Sequence, residues 1–248
     1  MSDKEFSADH KANSELSILL RDVKLDLKSG AGLVNILRGI NLEITNGSTV
    51  SIVGPSGAGK STLMMVIAGI EATTSGHVNI LNADFSGLNE DELALFRRDN
   101  IGIVFQAFHL IPTMTALENV ALPLELARDR TSIEKAKLSL SQVELLERAE
   151  HYPAQLSGGE QQRVAIARAF VTKPKILLAD EPTGNLDQKT GKAAIDLLFK
   201  LQSVNRTTLV LVTHDQDLSQ RCNRIVTMEN GLIIKDTGKS LTDRTYEC

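Results

Sequence analysis

The sequence predicts an α/β fold in which buried strands bring short polar motifs to one edge of a sheet. A glycine-rich stretch at residues 54–62 lies between an apolar run at residues 49–53 and a helical run at residues 63–68. Two further apolar runs end in Asp180 and His214. Polar groups directly after apolar strands lie where open α/β sheets place their ligands. The sequence therefore predicts a ligand site at the carboxyl ends of the strands.

Residues 54–62, Gly-Pro-Ser-Gly-Ala-Gly-Lys-Ser-Thr, are predicted to form a phosphate-binding loop. Glycines let successive backbone N–H groups turn around an anion, and the following helix directs its positive dipole end at the same anion. Lys60 can reach the outer phosphates, and the Ser61 hydroxyl can bind Mg²⁺. A flexible Gly/Ser turn is the alternative, which the flanking strand and helix patterns disfavour. The residues expected to line the nucleotide phosphates are Gly54, Pro55, Ser56, Gly57, Ala58, Gly59, Lys60, Ser61 and Thr62.

The composition of the chain excludes several classes of function. The chain has 248 residues, 42% of them hydrophobic, which suffices for one large domain or two small ones. A net charge of -4 lacks the basic excess that binding to a phosphate backbone needs, so nucleic acid is not expected as a partner. Cys222 and Cys248 have no CxxC spacing, which indicates a reducing compartment without a disulfide framework or zinc site. No apolar run approaches the ~18 residues of a transmembrane helix, so a membrane role requires a partner.

The N-terminal third is predicted to form a small antiparallel sheet beside a nucleotide-binding core. Residues 1–15 are polar and are expected to be a loosely ordered leader on a cytoplasmic protein. Strand-like runs cover residues 16–27 and 34–44, and Asn46-Gly47 signals a turn before the strand of the phosphate loop. After the loop helix, residues 75–81 are predicted to be a strand and residues 89–97 a polar helix.

A buried strand at residues 101–105 ends at Gln106, which is either a surface residue or part of the ligand edge. The segment that follows, residues 108–120, is rich in apolar residues and is broken by Pro112. It is expected either to dock a partner or to be partly buried in the core of its own domain.

A helical subdomain is predicted to interrupt the sheet. Residues 131–134, Thr-Ser-Ile-Glu, have capping-box spacing, and apolar positions continue after them at helical intervals. Residues 156–160, Leu-Ser-Gly-Gly-Glu, precede a helical run at residues 161–171. They form either an ordinary glycine turn or a second phosphate site, made by Ser157 with the N–H groups of Gly158 and Gly159. Two such sites with one nucleotide loop suggest that two copies of the chain face each other.

Two more strand ends carry candidate catalytic groups. Asp180 and Glu181 follow the apolar run at residues 175–179. Asp180 would hold Mg²⁺ through water, and Glu181 would polarise the water that attacks the γ-phosphate. Ordinary solvated acids are the alternative. His214 follows the apolar run at residues 208–213 and is either a structural residue or a functional one at the ligand edge.

The order of these motifs resembles that of the ATP-binding-cassette (ABC) ATPases, over residues 16 to about 238. The signature Leu-Ser-Gly-Gly-Glu is its most specific element, and residues 104–112, 116–120 and 179–187 look like the lipoprotein-releasing and macrolide-export subgroup, most of all its YbbA-type ATPases. The motifs that carry the resemblance are residues 54–62, Gln106, residues 156–160, Asp180-Glu181, Asn185-Leu-Asp187 and His214.

The fold that the resemblance implies is an α/β P-loop NTPase with a RecA-like core, an antiparallel β subdomain and an inserted α-helical subdomain. One domain would cover residues 16–240. The core and β subdomain would take about residues 16–106 and 172–240, and the helical subdomain about residues 107–171. Residues 241–248 would be a tail.

The resemblance also implies roles for the motif residues. Lys60 and the loop amides would hold ATP, while Ser61, Gln106 and Asp180 would arrange Mg²⁺. Glu181 would be the catalytic base, and His214 would sense the γ-phosphate. Residues Ser157, Gly158 and Gly159 of one subunit would close over the ATP of another, with Asp187 at the dimer seam. Residues 106–120 would form the face that grips a membrane subunit.

One position departs from the family pattern. Such families place an aromatic side chain near the end of the first strands to stack on adenine, and Leu27 occupies the aligned position. Weaker apolar contact would replace stacking, so GTP is expected to be used as well as ATP. The phosphate chemistry would not change.

The leading hypothesis is an energy-supplying subunit at the cytoplasmic face of the inner membrane, whose permease is a separate chain. The subgroup implies a permease with few transmembrane helices, which extrudes lipophilic cargo or transmits motion. A soluble cassette protein acting on DNA or the ribosome is a weaker hypothesis, because this chain has one phosphate loop, no sustained heptads and an acidic pI. A nucleotide or small-molecule kinase is disfavoured because it has no use for a second phosphate site at a helix start.

Overall fold

The structure, a computed structural model, describes residues 15–29 and 32–238. Most of the predicted leader and all of the predicted tail lie outside these residues. The chain divides into two compact units, one formed by Met1–Leu93 with Val210–Cys248 and the other by Ala94–Leu209. The domain boundaries predicted from the sequence stay a prediction.

Ten strands and seven α-helices are found in the described part of the chain, with short 3-10 helices at Phe85–Gly87, Leu146–Arg148 and Pro153–Gln155. In chain order they are β1 (Leu16–Ser29), β2 (Gly32–Thr45), β3 (Thr49–Val53), α1 (Lys60–Ile67), β4 (Ser75–Ile80), β5 (Ala83–Asp84), α2 (Glu90–Asn100), β6 (Ile101–Val104), α3 (Ala116–Leu126), α4 (Ser132–Gln142), α5 (Gly158–Phe170), β7 (Ile176–Asp180), α6 (Gln188–Asn205), β8 (Thr208–Val212), α7 (Gln216–Ser219), β9 (Arg224–Glu229) and β10 (Leu232–Asp236).

The first unit contains a four-stranded antiparallel sheet in the order β2-β1-β4-β5. Leu20 of β1 lies opposite Leu42 of β2 on one side and Val78 of β4 on the other, and all three side chains are buried. This row of apolar cross-strand neighbours fixes the register, because a slip by one residue would turn the apolar set to solvent. The predicted small antiparallel sheet is confirmed.

The remaining sheet structure of the two units contains parallel pairs and, between β9 and β10, one antiparallel pair. In the first unit β10, β9, β3 and β8 are hydrogen-bonded neighbours in that order, and in the second β8, β7 and β6 are. The boundary between the units falls inside β8, after Leu209. β3 pairs in parallel with β9, and β6 pairs in parallel with β7. The strands β3, β7 and β8 are buried along nearly their whole length, which explains their continuous apolar sequences.

One helix start differs from its prediction. The capping box expected at Thr131 and Glu134 is wrong, since no side chain caps α4. The Thr131 hydroxyl donates instead to Asp129 Oδ1 at 2.7 Å. Lys135 donates to the other oxygen of the same carboxylate. Both contacts lower the pKa of Asp129, which falls to about 2. The hydrogen bond from Lys135 is the larger cause, and the one from Thr131 comes second. Thr131 has a φ of -104° and a ψ of 19° instead of the extended backbone of a capping residue, so its hydroxyl does not accept from the first turn of the helix.

The described residues contain no helix long and apolar enough to cross a bilayer. They also contain no group of three or more His, Cys, Asp or Glu side chains that could hold a metal ion among themselves. Cys222 is a free, buried thiol, and burial raises its pKa to about 12. Its thiol is thus protonated and unreactive at neutral pH. Cys248 lies outside the described residues.

Candidate functional site

The first unit carries the predicted phosphate loop between β3 and α1. Gly54 has a φ of 146°, and a Cβ atom there would lie 2.0 Å from the carbonyl oxygen of Met228. A side chain at Gly54 would therefore collide with the backbone that shapes the loop. Gly59, with a φ of 92°, is the N-cap of α1, and no side chain caps this helix. The N–H groups of the first turn consequently remain available to an anion.

Lys60 lies across the phosphate loop. Its ammonium group donates to the carbonyl oxygens of Gly54 at 2.9 Å and Pro55 at 2.8 Å. An ammonium group has three donors, so one remains for a phosphate oxygen while two brace the loop. The loop thus combines uncapped amides and a positive charge, which suits the phosphate chain of a nucleotide.

His214 lies beside the strand that leads into this loop. The backbone N–H of Thr213 donates to the carbonyl of Ile52 at 3.2 Å, so β8 ends next to the end of β3. His214 follows directly and is exposed. The structure therefore brings the predicted histidine close in the fold to the start of the phosphate loop, within one unit.

The second unit brings Gln106 beside the strand-end acids. Val104 of β6 lies opposite Ala179 of β7 in a parallel pair, and Gln106 and Glu181 each come two residues after this pair. Asn185 then ties the two segments together. Its Nδ2 donates to the backbone carbonyl of Gln106 at 3.0 Å, and Gln106 Nε2 donates back to Asn185 Oδ1 at 3.4 Å. Amide and carboxylate oxygens at one strand edge are donor atoms suited to Mg²⁺.

Glu181 is held in an unfavourable backbone conformation. Its φ is 44°, a region that costs roughly 1–3 kcal/mol for a residue with a side chain. The following residue is Pro182, which restricts the backbone of its predecessor further. A hydrogen bond of 3.0 Å from the N–H of Gly184 to the carbonyl of Glu181 closes the turn. Strain of this kind is concentrated at functional sites, and the role of Glu181 as the base stays a prediction.

The predicted signature segment forms a capped helix start. Ser157 Oγ accepts from the N–H of Glu160 at 3.3 Å, and Glu160 Oε2 accepts from the N–H of Ser157 at 2.8 Å. The bond from the Ser157 N–H is the main reason that the pKa of Glu160 is lowered. The Ser157 hydroxyl acts here as an acceptor, so its O–H remains a donor for an external anion. Ser157 and Gly158 are exposed and can present these donors to a ligand.

The start of α5 is packed tightly against the start of α6. A Cβ atom on Gly159 would lie 2.2 Å from Thr190 Cγ2, whereas one on Gly158 would meet only Leu186 Cδ2 at 3.4 Å. Asp187 is the N-cap of α6, and its carboxylate accepts from the N–H groups of Lys189 and Thr190. The pKa of Asp187 is lowered, first through the side chain of Thr190 and then through these N–H groups. Asp187, which is predicted to lie at the dimer seam, therefore also caps α6, the helix against which the signature packs.

The apolar segment after Gln106 is partly buried. Asn119, itself fully buried, donates to the carbonyls of Ile111, Met114 and Thr115 and accepts from the N–H of Ile111. Residues 115–117, 119 and 120 are buried, whereas Pro112 and Thr113 are exposed. The end of the segment is therefore buried in its own domain, as one of the two expectations has it. Docking of a partner remains a hypothesis for the first half of the segment.

The carbonyls of that first half are held by an arginine. Arg168 of α5 donates to the carbonyl oxygens of His109 at 2.6 Å and Phe108 at 2.7 Å. Both acceptor residues have a positive φ, 48° and 60°. Burial lowers the pKa of Arg168, but a guanidinium stays charged at any physiological pH. Its charge stabilises two consecutive strained peptide units.

Leu27 lies near the C-terminal end of β1, where it is 45% exposed. Its cross-strand partner is Val34, which is 44% exposed. The structure thus offers two aliphatic side chains and no ring at the position where the resemblance expects an aromatic one. The use of GTP as well as ATP stays a prediction.

Comparison with known proteins assigns the family. Residues 37–184 match the family described as ABC transporter. The chain belongs to this family. It is 46% identical to the uncharacterized ABC transporter ATP-binding protein YbbA of Escherichia coli K12, over 88% of this chain and 96% of that protein. It is 45% identical to the lipoprotein-releasing system ATP-binding protein LolD of Legionella pneumophila strain Paris, over 86% of this chain and 96% of that protein.

A solved structure supports the same assignment. It is the dimeric post-hydrolysis state of the ATP-binding cassette MJ0796 bound to ADP and Pi. This ABC chain is 43% identical to it, with a TM-score of 0.82 over 88% of this chain and 97% of that one. The predicted P-loop NTPase fold and the ABC ATPase family are confirmed, as is the likeness to YbbA and the lipoprotein-releasing proteins.

Sequence patterns missed three residues that shape the site of this ABC protein. Asn185 belongs to the motif at residues 185–187, but nothing in the sequence predicts its bonds to Gln106. No sequence pattern marks the buried Gln162 of α5 or Arg168, because Gln and Arg are common on exposed helix faces. The capping box at Ser157 and Glu160 did have a signal, the Ser-x-x-Glu spacing.

The packing of α5 against α6 generates a prediction about Gly159. Gly159→Ala should lower the free energy of unfolding by about 1–3 kcal/mol, since the added methyl group overlaps Thr190 Cγ2. Thr190→Ser removes that atom but keeps the hydroxyl, so the double variant should recover most of the loss in chemical denaturation. Gly158→Ala is the matched control and should cost less than Gly159→Ala. Equal losses for the two single alanine variants, or no recovery in the double variant, would contradict this packing.

Proposed function

We propose that this chain binds and hydrolyses ATP as a homodimer and drives a separate membrane permease. The observation that carries the proposal is the strand edge at which the strained Glu181 and Gln106 each come two residues after the paired Ala179 and Val104, in a chain of the ABC family. The relatives named as ATP-binding proteins, and the dimeric cassette bound to ADP and Pi, support the same assignment.

The phosphate-loop residues, Gly54 to Thr62, would bind the triphosphate of ATP. Lys60 would contact the outer phosphates, and Ser61, Gln106 and Asp180 would arrange Mg²⁺. When bound, Mg²⁺ would neutralise charge that develops on the phosphate oxygens. The oxygen-rich donor set fits this hard cation better than it fits a thiolate-seeking metal.

Glu181 would accept a proton from the water that attacks the γ-phosphate, and His214 would contact that phosphate. Ser157 and the N–H groups of Gly158 and Gly159 would close over the ATP of the partner copy, with Asp187 at the seam between the copies. Ser157 and Gly158 are exposed at the capped start of α5, which supports this role because the positive end of the helix dipole lies at that start. Dimerisation would then be required for turnover.

The work done by the ATPase would be export, release of lipid-anchored cargo or transmission of motion across the membrane. The likeness to the lipoprotein-releasing ATP-binding protein supports this direction. The chain would lie at the cytoplasmic face of the inner membrane and contact the bilayer only through its permease.

A cavity in the second unit provides a candidate docking site for the permease. It encloses about 520 Å³ and is lined by Leu124, Leu138 and Phe170 together with charged side chains that include Lys173. Leu138 is 66% exposed, so its side chain offers apolar surface to a partner at this cavity. We propose that an apolar segment of the permease packs into this cavity and that the face extends towards residues 106–120.

The proposed base is tested by Glu181→Gln. The variant should hydrolyse ATP at least about 100-fold more slowly than wild type, because general-base catalysis is lost. It should also elute as a dimer in the presence of ATP, since the trapped nucleotide is not consumed. Glu150→Gln, which removes the same charge from an exposed site of the same unit, should behave as wild type. A monomeric Glu181→Gln chain with normal turnover would refute the assignment.

The docking cavity is tested by Leu138→Glu. A buried carboxylate at the centre of an apolar contact should reduce co-purification with a co-expressed permease about 10-fold or more. The ATPase rate of the isolated chain should not change. Ile234→Glu, at a 56% exposed position of the first unit, should co-purify as wild type. Undiminished co-purification of the Leu138→Glu chain would place the docking site elsewhere.

A further inference from the structure

Gln162 makes one contact that links the signature helix to the strained turn after β7. The side chain is fully buried, and its Nε2 donates to the carbonyl oxygen of Pro182 at 2.7 Å. Pro182 is buried as well and directly follows Glu181. The signature helix α5 therefore holds the peptide unit next to the proposed base.

The environment of Gln162 argues against a purely structural role. Its Oε1 is buried and accepts no hydrogen bond within the described part of the chain. A buried acceptor without a partner costs stability, and a side chain of similar size without that atom would avoid the cost. The amide therefore contributes little net stability, although it places one donor on the carbonyl of Pro182.

That donor bears on the orientation of Glu181. The turn is fixed at one end by the bond from Gly184 N–H to the Glu181 carbonyl and at the other by Gln162. Because Glu181 has a φ of 44°, the backbone would relax to a more favourable conformation if one of these bonds were lost. Relaxation would redirect the carboxylate away from its working position.

We propose that Gln162 is a positioning residue for the hydrolysis of ATP, which holds the Glu181–Pro182 turn in its strained conformation so that the Glu181 carboxylate is oriented as the base. The inference rests on the proposed function, in which Glu181 is that base. Gln162 does not contact the nucleotide in this scheme. It acts through the backbone of the turn.

The test is Gln162→Met, which keeps the approximate shape and removes both polar atoms. The value of kcat should fall about 10- to 100-fold, since misplacing a catalytic group by about 1 Å can cost that much. The KM for ATP should stay near that of wild type, because the phosphate loop is untouched. Gln202→Met is the matched control: Gln202 is also buried, and its Nε2 donates to the carbonyl of Thr207 at 2.7 Å. It should leave kcat unchanged.

Gln162→Glu supplies a second readout should the methionine variant fail to fold. Burial raises the pKa of a carboxyl group, and only its protonated form can donate to the carbonyl of Pro182. Activity relative to wild type should therefore rise as the pH is lowered from 8 to 6, where the donor is restored. A pH profile that parallels wild type would overturn the inference.

A double variant separates this inference from the function on which it rests. In a Glu181→Gln background, Gln162→Met should cause no further loss of rate, because the group that it positions is already absent. Additive losses, or a Gln162→Met chain with normal kcat beside an inactive Glu181→Gln chain, would overturn the positioning role alone. Normal turnover by Glu181→Gln would instead overturn the assignment of Glu181 as the base. The hydrogen bond from Gln162 to Pro182 would then have no role in catalysis.

Discussion

The strained turn after β7 is the constraint around which the second unit of this ABC protein is arranged. Glu181 keeps a positive φ just before a proline, a conformation that an isolated peptide would leave at once. Hydrogen bonds from Gly184 and Gln162 hold the turn, and Asn185 links its continuation to Gln106. One set of backbone contacts thus connects Glu181 with the segment after β6 and with the signature helix.

The N-terminal ends of α1 and α5 differ in a way that suits their proposed roles. No side chain caps α1, so its first N–H groups are left for a ligand, whereas a capping box with Ser157 and Glu160 stabilises α5 without any ligand. In the proposed function the loop binds the triphosphate, and unsatisfied amides favour that binding. The signature would meet nucleotide only part of the time, so it needs a helix that is stable without a ligand and a hydroxyl that can still donate.

Much of the fold was predictable because its information is local. Continuous apolar runs identified β3, β7 and β8, and the glycine pattern identified the loop before α1. Strand-end positions predict a ligand edge with Gln106, Asp180 and His214, and the pairing of β6 with β7 brings the first two of these close together in the second unit. The capping box expected at Thr131 failed because the backbone of Thr131 lacks the extended conformation of a capping residue, and its hydroxyl donates to Asp129. The contacts of Gln162, Asn185 and Arg168 join segments 20 to 79 residues apart, and tertiary packing alone brings such partners together.

The central claim is that two copies of the chain complete each ATP site, the phosphate loop coming from one copy and the signature from the other. The most direct measurement mixes Lys60→Ala chains with Ser157→Arg chains and records ATPase activity. Each variant alone should be inactive, whereas mixed dimers regain one intact site, so the mixture should recover up to about a quarter of the wild-type rate. A mixture as inactive as its components would contradict the account.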